Sequence, residues 1–330
     1  MRGGAGEMLD QFVRHGDIVS FANERVNLKT DDVEEYRGQV RRLREKLGRY
    51  IDEHPGFDVV KMLHSGSVAK GTALKVINDM DVAVYVKKGK APEQEIRLLE
   101  WTAERLKEAY GNTIKPEQIA IEHHCVSVKF EGTGLNVDVV PVLYEGDEDD
   151  RGYLVPPSTG IRVLTSIPLH LAFSRSKKNA HKTHYRQMVR LVKWWARIQK
   201  GSREGFRFKS FMTELILAHL FDKGFKADDY AEALFEFFSY IVRTRLSERI
   251  VFDDHYPTSD AKDDGNPVQI FDPVNPENNV ASRYHQSDVD IIVDAAADAL
   301  DAISFARRAT TKTEAVNEWQ QVFGPSFKGN

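Results

Sequence analysis

The stretch S-G-S-V-A-K-G-T-A-L-K-V-I-N-D-M-D-V-A-V-Y-V, residues 65–86, opens as a small glycine-rich turn. It closes as an apolar strand carrying two acids, Asp79 and Asp81. In an extended strand, residues two apart point to the same face. The two carboxylates therefore aim together, and like charges held that close are unfavourable unless a cation lies between them. A hard divalent ion such as Mg²⁺ takes oxygen ligands and leaves positions for substrate phosphates. Just upstream, Gly66 and Gly71 let the backbone approach a phosphate, while Ser67 and Thr72 offer hydroxyls and free N–H groups offer donors. The G-K-[ST] signature is missing, so this is not a Walker A loop. The residues read as a phosphate cradle followed by a metal site. Taken alone, D-x-D also fits a solvated strand end.

A third acid weights the choice. Asp138 sits in L-N-V-D-V-V-P-V-L-Y (135–144), again within an apolar strand pattern. An unpaired carboxylate buried there would be strongly unfavourable, so Asp138 also needs a partner. If strands 80–86 and 135–143 are neighbours, three carboxylates converge. That set suits two Mg²⁺ ions, with Mn²⁺ as their substitute, in phosphoryl or nucleotidyl transfer.

Outward from these strands, residues 30–53 read as a long helix, with Thr30 or Asp31 as N-cap and an apolar stripe of Val33, Tyr36, Val40, Leu43, Leu47 and Ile51. Residues 57–63 read as a strand and 93–110 as a helix. Segments 118–130 and 135–144 read as β-structure joined by a hairpin-like E-G-T-G turn. The acidic loop 145–152 and the V-P-P-S-T-G segment 155–160 punctuate the chain. After about residue 180 the spacing is helical, over 184–200, 210–224, 228–246 and 287–309, with a Pro- and Asn-rich loop at 269–284. The expected fold is α+β, a mixed or antiparallel sheet followed by helices. The expected division is a first lobe at 1–160 and a helical lobe at 161–330; the resemblance given below makes the first the catalytic lobe, with helix 30–53 as a spine joining the two.

Composition narrows the class. With 29 % charged and 41 % hydrophobic residues and a net charge of −4, the chain is an ordinary globular protein and not a bulk polycation. Its one cysteine, Cys125, excludes an internal disulfide and a Cys-rich zinc knuckle and fits a reducing compartment. No apolar run approaches the roughly 20 residues of a membrane span, and no signal-peptide core is visible, so a cytoplasmic location without membrane contact is expected. Residues 175–209 hold a dozen Lys and Arg and very few acids. They could form a nucleic-acid groove or neutralise nucleotide triphosphates. Within them, Arg186, Arg190, Lys193 and Arg197 share one helix face, opposite Leu191, Trp195 and Ile198. Such a stripe is most often a solvated face. His123 and His124, adjacent in a presumed strand, would point to opposite faces and read as structural. Asp272 and Asn279 read as loop-fixing residues, and His181 and His184 as phosphate neighbours.

The run G-S-V-A-K-G-T-A-L…D-M-D-V-A-V-Y-V resembles the signature of the polymerase-β nucleotidyltransferase superfamily. Its A-K-G-T-A-L version is similar to the oligoadenylate synthetases and the bacterial cGAS/DncV-like nucleotidyltransferases (CD-NTases). L-N-V-D-V-V-P-V-L resembles the strand holding the third metal ligand. R-L-V-K-W-W-A and F-K-S-F-M-T-E-L-I resemble the helix pair that holds the donor triphosphate and base, and I-F-D-P-V-N-P-E-N-N-V-A a loop of the C-terminal lobe. The match spans about residues 60–285, and its clade C or D flavour is that of CBASS anti-phage systems.

The resemblance implies a bilobal polymerase-β-like fold with Asp79, Asp81 and Asp138 as catalytic metal ligands. It places Gly66, Ser67, Lys70, Thr72, Lys193 and Ser210 on nucleotide phosphates, and Phe211, where relatives often have Tyr, on the base. It further implies ATP or other NTPs as substrate, pyrophosphate release, and cyclic tri-adenylate as the first choice of product. The implied partners are a HORMA-domain activator, a Trip13-like ATPase regulator, a nucleic-acid activator, and an effector nuclease reached through the product. Two rival readings stand beside it: a template-independent nucleotidyltransferase that extends RNA ends, and a catalytically silent scaffold for a HORMA protein or nucleic acid.

Overall fold

A computed structural model describes residues 11–54, 59–76, 79–182 and 184–329. The strands β1 (Val59–Ser65), β2 (Asp79–Lys87), β3 (Ile119–Ile121), β4 (Val126–Phe130), β5 (Leu135–Tyr144), β6 (Gly152–Leu154) and β7 (Val163–Thr165) form one mixed sheet. Its order is β1-β2-β5-β4-β3, with β6 pairing β5 and β7 pairing β6. The helices are α1 (His15–Phe21), α2 (Thr30–Glu53), α3 (Gly66–Lys70), α4 (Leu98–Tyr110), α5 (Ile167–His181), α6 (His184–Ser202), α7 (Ser210–Asp222), α8 (Tyr230–Thr244), α9 (Gln286–Arg308) and α10 (Lys312–Phe323).

The alternation in β2 decides what lies on each side of the sheet. Met80, Val82, Val84 and Val86 point to one face and are buried with Val137 and Val139 of β5. The stripe of α2, here Val40, Leu43, Leu47 and Tyr50, closes that core together with Leu99, Ala103 and Leu106 of α4. Asp79, Asp81, Ala83 and Tyr85 point the other way, where Ala83, Tyr85 and Val142 make a smaller apolar cluster. β2 runs parallel to β5, which needs a long crossover. α4 and the hairpin β3–β4 supply it. The turn into β5 closes where Gly134, at φ +69°, donates its N–H to the Phe130 carbonyl over 2.8 Å.

Two compact units divide the chain. One, Leu28–Asn179 with Pro273–Asn278, holds the sheet, α2 and α4; the other comprises residues up to Asn27, Ala180–Asp272 and the chain from Asn279 onward. These bounds differ from a division at residue 160. β7 pairs with β6, which keeps 163–165 with the sheet. The first helix packs into the helical unit through Phe21, whose ring meets Phe323 at 5.0 Å, Phe327 at 5.2 Å and Trp194 at 5.8 Å. There the Trp194 indole also donates to the Phe323 carbonyl over 2.9 Å.

Other differences are local. α2 begins at Thr30, so its cap position is Lys29 rather than Thr30 or Asp31, and Asp31 and Asp32 favour the helix dipole from the first turn. The strand expected from residue 57 is described from Val59; 57 and 58 lie outside the described residues. Segment 118–130 is two short strands, and His123 and His124 lie exposed in the bend between them, their rings 6.5 Å apart. Asn279 does fix its loop: its side chain accepts from Ile270 N and Ala281 N and donates to the Val268 carbonyl. No described helix is long and apolar enough to cross a membrane.

Because Phe21 is 5 % exposed and surrounded by rings, Phe21→Ala should lower the unfolding free energy by about 3–5 kcal/mol in chemical denaturation. A loss below about 1 kcal/mol would contradict this packing.

Candidate active site

The register of β2 on β5 brings the acids together. Asp81 lies directly beside Asp138 and Asp79 beside Asn136, on adjacent parallel strands. Side chains paired in this way share a face, so all three carboxylates project from the sheet opposite the core of α2 and α4. On its other flank Asp81 faces Ser65 of β1, and Asp138 faces Ser127 of β4. Asp79 is exposed; Asp81 and Asp138 are half-buried.

Each acid has a different neighbourhood. The Asn136 amide donates to Asp79 Oδ1 over 3.2 Å. Burial raises the Asp138 carboxyl above the usual carboxylate range. The Ser127 hydroxyl works against that rise by hydrogen bonding, the Asp79 charge adds to it, the Cys125 thiol opposes it, and Glu122 adds to it. Cys125 itself is pushed up to about 12, by burial first and then by the charges of Asp138 and Asp81. It is an inert thiol beside a concentration of negative charge.

Gly66 heads α3 directly after β1, with φ at +65°. A Cβ there would overlap the Asp81 carboxylate. Both the backbone conformation and the close approach therefore require glycine at this position. The turn continues through Ser67 and Lys70, both half-buried, to Gly71, whose left-handed backbone ends the helix. Thr72 is fully buried, and its N–H is committed to the Ser67 carbonyl over 2.8 Å. It braces the turn from behind rather than presenting its side chain to solvent.

In the helical unit, Lys193 is 5 % exposed on α6, so the solvated-face reading of its stripe does not hold. Of the four cations only Arg197 is exposed, and burial lowers the Arg186 and Arg190 guanidinium groups. Ser210 is the first residue of α7 and is exposed; Phe211 beside it is half-buried. His181 lies 4.0 Å from Asp222 and His184 lies 3.9 Å from Asp228.

The donor set suits a hard divalent cation. It consists of oxygens only, carries like charges on one face, and includes a carboxyl whose ionisation is disfavoured until a cation compensates it. Among the described residues, no group of three or more His, Cys, Asp or Glu side chains is already gathered closely enough to hold a metal ion by itself. Mg²⁺ typically binds through one or two carboxylates and completes its shell with phosphates and water. Sequence reasoning missed Ser127, Asn136 and Glu122. The first two follow from strand pairing: once β4, β5 and β2 are aligned, they are the cross-strand neighbours of the acids. Glu122 lies in a turn and carries no periodic signal.

Comparison with known proteins bears on the family and the fold. Residues 15–166 match the family model described as the Second Messenger Oligonucleotide or Dinucleotide Synthetase domain. The cyclic AMP-AMP-AMP synthase of Escherichia coli (strain MS 115-1) is 50 % identical over 322 residues, covering 98 % of this chain and 100 % of that one. The CBASS oligonucleotide cyclase CdnC of Escherichia coli (strain KTE188) is 30 % identical over 308 residues, covering 92 % and 94 %. Among solved structures, E. coli MS115-1 CdnC with ATP superimposes with a TM-score of 0.89 at 50 % identity, over 97 % of this chain and 100 % of that one. The complex of that CdnC with HORMA-deltaN gives a TM-score of 0.89 at 51 % identity, over 96 % and 99 %. The chain has the polymerase-β-like nucleotidyltransferase fold.

Gly66→Ala should leave the far-ultraviolet circular dichroism spectrum unchanged and reduce nucleotide turnover by roughly 100-fold, the scale lost when a reacting group is misplaced by about 1 Å. Wild-type turnover in this variant would contradict the packing of Gly66 against Asp81.

Proposed function

Because the chain belongs to the CD-NTase family of oligonucleotide cyclases, we propose that it joins ATP molecules into cyclic tri-adenylate, a second messenger of CBASS anti-phage defence. It is a nucleotidyltransferase, and its family works with a divalent metal. The observation that carries the chemistry is the in-register pairing of Asp81 with Asp138, with Asp79 on the same face. The choice of product rests on full-length similarity to a relative named for that product.

In each transfer a ribose hydroxyl attacks the α-phosphorus of an ATP. The new O–P bond forms as the bond to the β-phosphate oxygen breaks, and pyrophosphate leaves. In the last transfer the terminal ribose hydroxyl of the linear tri-adenylate attacks the α-phosphorus of that molecule's own 5′-triphosphate, closing the ring as pyrophosphate leaves; in every transfer the hydroxyl proton passes to solvent. Asp79, Asp81 and Asp138 would hold two Mg²⁺ ions, or Mn²⁺ in their place. Those ions would supply activation of the attacking hydroxyl and neutralisation of charge on the leaving pyrophosphate. The residues themselves position and orient. Gly66 keeps the Asp81 carboxylate against the turn, while Ser67 and Lys70 present donors for phosphate oxygens, with Thr72 closing the turn behind them. Within the helical unit, taken by itself, Lys193 and Ser210 are the proposed phosphate contacts and Phe211 the proposed base contact. Lys193 is buried, so its part of the stripe is not a solvated face.

The proposed biological setting rests on the resemblance to the CBASS clade. A HORMA-domain protein binds the enzyme, a step supported by the complex of the E. coli relative, and in this reading activates it. A Trip13-like ATPase resets that partner, nucleic acid serves as a second activator, and the product switches on an effector nuclease. These steps take place in the cytoplasm.

Two measurements test this reading. Asp79→Asn and Asp81→Asn should each lower pyrophosphate release from ATP by roughly two to three orders of magnitude, the scale lost with a group that stabilises transition-state charge; retention of full activity would sink the metal assignment. Incubation with labelled ATP, Mg²⁺ and the HORMA partner should yield a product with the mass of cyclic tri-adenylate, absent when EDTA is added. Only linear tails on added RNA would overturn the cyclase reading.

A further inference from the structure

The three acids are not held alike, and the difference singles out a residue outside the metal-ligand set. β4 runs antiparallel to β5 with Ser127 opposite Asp138. Its neighbours Val126 and Val128 are fully buried on the α2/α4 side, so Ser127 stands on the face of the acids. It is a small hydroxyl in the strand V-S-V-K-F, placed where it can donate to the Asp138 carboxylate. Cys125 also donates to Asp138, but a thiol is a weak donor, and its place before β4 is less constrained than a paired strand position. The same device recurs on Asp79, where the cross-strand amide of Asn136 donates over 3.2 Å. A carboxylate with free χ1 and χ2 torsions must be ordered on metal binding. One already held by a hydrogen bond to a rigid strand is ordered beforehand.

We propose that Ser127 is the positioning residue for Asp138: its hydroxyl, fixed on β4, holds the carboxylate oriented so that its remaining lone pairs face the divalent cation. The proposal rests on the metal reading above. Ser127 touches neither nucleotide nor metal. Its role is exerted through Asp138, in the manner of outer-shell donors whose loss typically weakens metal binding by about 10- to 100-fold.

The test is a titration of the full chain with Mn²⁺ in the presence of a non-hydrolysable ATP analogue, with free Mn²⁺ read by electron paramagnetic resonance. Four proteins are compared: wild type, Asp138→Asn, Ser127→Val and Ser127→Thr. Val and Thr have the same shape and both suit a strand, so they differ in the hydroxyl alone. Ser127→Val should weaken Mn²⁺ binding by about 10-fold, with its melting temperature close to that of wild type. Ser127→Thr should bind as wild type does. Equal Mn²⁺ affinity in Ser127→Val and wild type would overturn the proposal, as would an equal loss in Ser127→Thr. If Ser127→Val fails to fold, Ser127→Ala, which removes only the hydroxyl, decides in the same titration. Undiminished binding in Asp138→Asn would instead overturn the metal reading itself, which separates the two failures.

Discussion

The structure is organised around a repulsion. Three carboxylates are placed on one face of two adjacent parallel strands, with Asp81 and Asp138 directly paired. Nothing in the packing of a sheet requires this, and an apolar face there would be more stable. The rest of the sheet unit makes the arrangement tolerable. α2 and α4 seal the opposite face with a continuous core. That core fixes the register, because a slip of one residue would send Asp81 into it and Val82 out. Neutral donors from neighbouring strands hold the acids. A glycine with positive φ makes room for Asp81. On the function proposed above, that repulsion is what a bound cation would relieve.

Much of this was legible in the sequence, for identifiable reasons. D-M-D in an apolar strand is visible because strand periodicity is strict, and Asp138 is visible for the same reason. The stripe of α2 and the helices after residue 184 show a clear 3.6-residue spacing. What escaped was short or non-local. β6 and β7 have three residues each, too few for any period. α10 did carry a signal: Thr311 and Glu314 form a capping box, in which the Glu314 N–H donates to Thr311 Oγ1 over 3.2 Å. α5 has a proline in its first turn at Pro168, another start signal.

The cross-strand partners of the acids were illegible for a deeper reason. Asn136 acquires meaning only when β2 and β5 are aligned, across more than fifty residues of chain, and Ser127 only when the exact register of the β4–β5 hairpin is fixed, which its turn signal does not specify. The burial of Lys193 is of the same kind. A helical wheel draws Arg186, Arg190, Lys193 and Arg197 as one charged face, whereas packing in the helical unit leaves only Arg197 exposed. Charge periodicity records which residues share a side of a helix, and tertiary packing decides whether that side meets water.

The central claim is that Asp79, Asp81 and Asp138 together hold divalent cations that serve ATP. Anomalous diffraction from crystals grown with Mn²⁺ and a non-hydrolysable ATP analogue tests it most directly. The account predicts anomalous peaks bridging all three carboxylates and the analogue's phosphates. Peaks that leave Asp138 without contact, or no peak on this face of the sheet while the analogue is bound, would contradict it.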